Sequence, residues 1–158
     1  MNCEVLLKHS LLQMLSRNDL SSYKQLIKRG ISVNQELHGS YAVHEVCRYG
    51  YTEFLEYLIA KKANLNLQDG LDRTAFMIAV EYGNTGCLKV LLEAEASWGD
   101  FFEAFKDFKG DNELEVKEFL KDYIIPKHNW EQRKAFTLVC KKLKLPKTLL
   151  RELIKFIS

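Results

Sequence analysis

The chain has 158 residues, 47% of them hydrophobic and 28% charged, with a formal net charge of +2. That length and apolar share fit one compact domain and exclude a disordered chain. The small charge gives no general drive toward nucleic acid or membrane surfaces, and no apolar run approaches the ~20 residues that span a bilayer.

The N-terminus, Met1 to Lys8, carries Glu4 among its apolar residues and lacks a signal-peptide layout. Cys3, Cys47, Cys87 and Cys140 show no C-x-x-C spacing, and no His stands at zinc-ligand spacing beside them. Free thiols in a reducing, cytoplasmic compartment are therefore expected, without disulfides.

The stretch from Tyr41 to Trp98 repeats itself. Tyr41-Ala42-Val43-His44 answers to Thr74-Ala75-Phe76-Met77, Arg48-Tyr49-Gly50-Tyr51 to Glu81-Tyr82-Gly83-Asn84, and Leu58-Ile59 to Leu91-Leu92, at a spacing of about 33 residues. A unit this short cannot bury its apolar face alone and must stack on a neighbour. Val43-His44, Thr74-Ala75-Phe76, the central Gly50 and Gly83, and the end Ala63-Asn64-Leu65-Asn66 resemble the ankyrin-repeat family, whose unit begins T-P-L-H-x-A. The signature Pro is absent, and Lys62 and Glu95 stand where the family places a helix-ending Gly. The resemblance implies an all-α solenoid of about four helix-turn-helix repeats.

Taken in order, residues 1–34 match a first, atypical repeat. Leu11, Met14 and Leu15 take the core places of its first helix, and Tyr23, Leu26 and Ile27 those of its second. Asn18 replaces the central Gly, being the side chain that best tolerates left-handed backbone. Gly30 supplies the positive φ that ends the second helix. Residues 35–66 form the second repeat, with helices near Ala42–Tyr49 and Thr52–Lys61. Residues 67–99 form the third, with helices near Ala75–Tyr82 and Thr85–Glu93. Turns fall at His38-Gly39-Ser40 and Asp69-Gly70-Leu71-Asp72, rich in the Gly and Asp that tight turns need.

Residues 100–125 read as a shortened fourth repeat, with Phe101, Phe102, Phe105 and Phe108 in its first helix. Pro126 ends it. Asn129 to Gln132 start another helix, and Leu149, Leu150, Leu153, Ile154 and Ile157 line a last one. Residues 126–158 thus read as a two-helix cap over the apolar flank of the array. Leu145-Pro146-x-x-Leu149-Leu150-x-x-Leu153-Ile154 loosely resembles an F-box and implies, as an alternative role, a ubiquitin-ligase substrate adapter. The tail also resembles the helical ends of ankyrin-repeat effectors of intracellular bacteria, for which the host cytoplasm is the expected location.

The family resemblance makes His44 a structural link between repeat loops, and no nucleophile accompanies it in a recognised signature. Asp69-Gly70-Leu71-Asp72 lacks the alternating ligands and closing Glu of a calcium loop. Neither a P-loop nor G-x-G-x-x-G occurs. No enzyme, cofactor or metal site is expected. Lys141, Lys142, Lys144, Lys147, Arg151 and Lys155 read as a solvated face of the tail, and no nucleic-acid or membrane partner is expected.

In the ankyrin family, partners meet the turn tips and the exposed side of the first helices. On this chain that row is Arg17, then Glu45, Arg48 and Tyr49, then Ile78, Glu81 and Tyr82, then Lys109, with Leu71 and Arg73 from the turn. The alignment puts Tyr49 and Tyr82 one repeat apart, and Tyr and Arg are common interface anchors. The expectation is a monomeric, non-catalytic module that binds another protein.

Overall fold

The structure, a computed structural model, describes residues 3–96 and 118–119. The chain divides into two compact units, Met1–Asp111 and Asn112–Ser158. Apart from residues 118–119, the expected fourth repeat, the cap and the F-box-like stretch lie outside the described residues.

Among the described residues, the first unit has six helices: α1 (Cys3–Ser16), α2 (Leu20–Lys28), α3 (Ala42–Tyr49), α4 (Thr52–Ala60), α5 (Ala75–Glu81) and α6 (Thr85–Glu93). Among the described residues there is no strand, only a single antiparallel bridge between Glu36 and Tyr41. Consecutive helices pack as hairpins, α1 on α2, α3 on α4 and α5 on α6. The hairpins then stack, α1 on α3 on α5 through their first helices and α4 on α6 through their second. The helices of repeats two and three end within one residue of their expected limits.

The same closure ends all six helices. A residue with positive φ follows each one: Asn18, Gly50 and Gly83 after the first helices, Gly30, Lys62 and Glu95 after the second. The next backbone N–H then reaches five residues back, from Asp19 to Met14, Tyr51 to Val46 and Asn84 to Ala79. Ile31 to Leu26, Ala63 to Leu58 and Ala96 to Leu91 repeat it at the second helices. This bond covers a carbonyl that the helix itself leaves open. Asn18 takes the left-handed place at φ 56°, as expected of it. Lys62 and Glu95 take theirs without Gly, at φ 59° and 56°, at a cost of about 1 kcal/mol each.

The core runs along the stack. Leu11, Leu15, Tyr23, Val46, Phe54, Leu58, Phe76, Leu88 and Leu91 are buried, so each hairpin buries apolar surface that it could not bury alone. Tyr23 and Phe54 meet edge to face across the first two repeats, their ring centroids 5.0 Å apart. Cys47 and Cys87 are buried free thiols, as the alignment of repeats implies, and Cys3 is exposed.

Candidate functional site

Two loops project from the stack, and each is held by its own polar groups. In the first, Leu37 and Ser40 exchange both backbone bonds, N–H to O at 2.7 and 3.2 Å. The two residues between them, His38 and Gly39, both have positive φ, the pairing that closes a tight two-residue hairpin. The Gly39 N–H also donates to the Glu36 carboxylate. In the second loop, Asp69 Oδ1 accepts from the N–H groups of Leu71 and Arg73, at 2.9 and 3.0 Å. The loops join tip to tip: the Gly70 N–H donates to Gly39 O at 2.7 Å.

Arg73 fastens the second tip. Its Nε and Nη2 donate to Asp69 Oδ2 at 2.9 and 2.7 Å, and its Nη1 donates to Glu81 Oε2 at 2.7 Å. Burial alone would push the Asp69 carboxyl up. The bonds from Arg73 and the loop N–H groups outweigh it and hold the carboxyl below its ordinary range. A second charged set lies on α3. Glu45 Oε1 accepts from Ser40 Oγ at 2.7 Å, and Glu45 Oε2 pairs with Arg48 Nη1 at 3.0 Å. The Arg48 guanidinium also lies over the Tyr82 ring, 5.8 Å from its centroid.

His44 stands behind these loops. Its Nε2 donates to Leu67 O at 3.0 Å, so the side chain of the second repeat holds the start of the third. Its Nδ1 is buried and has no partner among the described residues. Burial pushes the imidazole below its ordinary value, and the nearby carboxylates oppose this only in part. The neutral ring with its proton on Nε2 is the form this surrounding favours. That is a structural link, the role expected of it.

Between the loops and the first helices lies an open cleft of about 440 Å³. Leu12, Leu37, His38, Ser40, Glu45, Arg48, Asp69, Leu71 and Arg73 line it. Of the expected row, Leu71 is 70% exposed at the second tip and Tyr49 is 45% exposed on α3. Tyr49 stacks on Tyr51, with centroids 5.6 Å apart. Arg17 is exposed, Arg48 and Tyr82 are half-buried, and Lys109 lies outside the described residues.

Four expectations for exposed places are corrected. Ile78 is 0% and Glu81 1% exposed, because α5 is buried along all seven of its residues. Glu45 is buried too, turned toward Ser40 and Arg48. Arg73, expected to face a partner, is half-buried and engages two carboxylates of its own chain. The row reading missed Leu12 and His38. Leu12 follows the buried Leu11 on α1, and only the tertiary placement of α1 beside the loops brings it to the cleft.

Among the described residues, no group of three or more His, Cys, Asp or Glu could hold a metal ion. Burial pushes the Cys47 thiol up, away from the thiolate that a nucleophile needs. Among the same residues, no helix is long and apolar enough to cross a membrane.

A family model described as ankyrin repeats, in three copies, matches residues 11–100. A 55-residue stretch is 34% identical to SH3 and multiple ankyrin repeat domains protein 2 of Homo sapiens, covering 35% of this chain and 3% of that protein. This chain therefore answers to a small fraction of that relative's length. Ankyrin repeats are in general protein–protein interaction modules and typically non-catalytic. The stacked hairpins, their shared closures and the matched repeats lead to one assignment: the chain belongs to the ankyrin-repeat family.

Proposed function

We propose that the chain is a non-catalytic module that binds another protein through its loop tips and the exposed parts of its first helices. The observation that carries the reading is the cleft between the two joined loops and α1 and α3. Its walls are stiff, because Asp69, Arg73, Glu45 and Ser40 are bonded to one another or to their own loops. A stiff surface loses little conformational entropy when a partner docks. Leu71 offers apolar area in the cleft, and the exposed Tyr49 on α3, with Arg17, Arg48 and Tyr82, completes the face. Lys109 extends it in the sequence alignment. The cytoplasm suits the unpaired Cys47 and Cys87 thiols.

The test is affinity capture from cell lysate with the wild-type chain and with Tyr49→Ala combined with Tyr82→Ala. The double variant is expected to lose the wild-type partner while its thermal unfolding changes little. Retained capture would show that this face has been misassigned.

A further inference from the structure

The cleft has a chemical character that narrows what it takes. Its carboxylates and Arg73 are already paired, and Arg48 is paired with Glu45 through Nη1 alone, its buried Nε having no partner among the described residues. Glu45 is held by Ser40 and Arg48, Asp69 by Arg73 and two backbone N–H groups, and Arg73 also by Glu81. A charged partner group directed at Glu45, Asp69 or Arg73 would have to break one of these pairs, leaving a half-buried charge without its mate. An uncharged group breaks none.

Much of the remaining surface is apolar, beside the exposed His38 at the first tip. Leu71 is the most exposed large hydrophobic side chain among the described residues, at 70%, and the half-buried Leu12 lines the same cleft. Leu71 sits between two residues of the Asp69–Arg73 clamp, so its backbone is set before any partner arrives. The cleft is open on one side, whereas small-molecule sites enclose most of their ligand. An extended chain can lie along an open cleft and insert one side chain.

We infer that the cleft between the two joined loops takes an extended, uncharged peptide segment of a partner protein, with an apolar side chain packed against Leu12 and Leu71. This rests on the interaction reading above and gives the partner segment its chemistry. The recognition is hydrophobic and steric, so it depends little on ionic strength.

The purified full chain is panned against a random linear-peptide display library, and the enriched peptides are synthesised and titrated at low and high salt. The expected result is an uncharged consensus with a fixed apolar position. Affinity should change by less than about twofold between the two salts. Leu71→Asp and Leu71→Ser should each weaken binding by about tenfold or more. Residue 71 is an exposed loop-tip position, and an unchanged thermal midpoint in both variants shows that they fold. A charged consensus, a steep loss with salt or full binding by both Leu71 variants overturns the inference while leaving protein binding intact. Failure to enrich any peptide also overturns it, and the tyrosine variant then decides the broader reading alone.

Discussion

Asn84 is bonded to the end of a helix one repeat away. Its Nδ2 donates to Cys47 O at 2.7 Å and to Arg48 O at 3.0 Å, in the last turn of α3. Those carbonyls have no partner within a helix that stops at Tyr49. Tyr51 occupies the same place one repeat earlier, and its hydroxyl donates to Ser16 O at 3.1 Å. The residue before the second helix of repeats two and three thus ties down the first helix of the preceding repeat. Nearest-neighbour coupling in the stack has a polar part at these two positions as well as an apolar one.

Asn84→Ala removes both bonds and should cost about 2 kcal/mol. Asn84→Asp keeps the shape but sets a carboxylate against two carbonyl oxygens. It should cost more than Ala at neutral pH and approach it in acid, once the carboxyl is protonated. Urea denaturation at two pH values reads both. An Asn84→Ala protein as stable as wild type would mean that these contacts contribute nothing to the stack.

Gly50 and Asn84 should be energetically coupled. A Cβ at Gly50 would lie 2.7 Å from Asn84 Oδ1, and the backbone there has φ 77°. Gly50→Ala therefore carries a left-handed cost of about 1 kcal/mol plus a steric overlap. In the Asn84→Ala background the overlap is gone and the φ cost remains. A double-mutant cycle should give a double variant more stable than the sum of the single changes predicts, by about 0.5 kcal/mol or more. Strict additivity would show that the two side chains do not meet.

Lys62 and Glu95 occupy the left-handed closure that Gly30 fills in the first repeat. Lys62→Gly relieves that strain, and the added backbone freedom of Gly in the unfolded chain offsets part of the gain. The expected result is a rise of about 0.5 kcal/mol in unfolding free energy, with no change in denaturant slope. A loss of stability would show that the lysine stem contributes more by packing than its backbone costs.

The fold was legible because its signals are local and periodic. Gly50 and Gly83, the Leu58 and Leu91 rows and the Asn18 substitution each mark a backbone geometry that one residue can announce. The face was less legible. Helical spacing places Ile78 and Glu81 at the same phase as residues expected to be exposed. Spacing cannot show that α5 is buried on every side, or that Arg73 turns inward to Glu81. The alignment set Asn84 opposite Tyr51, yet the bond each makes to an earlier repeat depends on how the hairpins sit together, which no short window of sequence contains.

Arg73 tests how the second tip is built. Replacing it with Met keeps most of its length but leaves the buried Asp69 and Glu81 carboxylates without their guanidinium. The expected loss is about 3 kcal/mol at neutral pH. Lowering the pH should narrow the gap to wild type, because protonating Asp69 removes the charge that Arg73 compensates. A gap that is constant with pH would mean that Arg73 acts by packing alone.

His44 should make stability depend on pH in the mildly acidic range. Its folded imidazole lies below the ordinary value of 6.5, first because of burial. The unfolded chain therefore binds the proton first, and stability rises with pH through this window. The contribution is complete above the unfolded value, declines as pH falls through it and levels off below the folded value. His44→Gln keeps an N–H donor for Leu67 O and does not titrate. The other three histidines, His9, His38 and His128, are the same in both proteins. Wild type should lose stability relative to His44→Gln between neutral pH and the onset of carboxylate titration, in chemical denaturation at a series of pH values. Parallel pH profiles for the two proteins would show that the buried ring is not the titrating group.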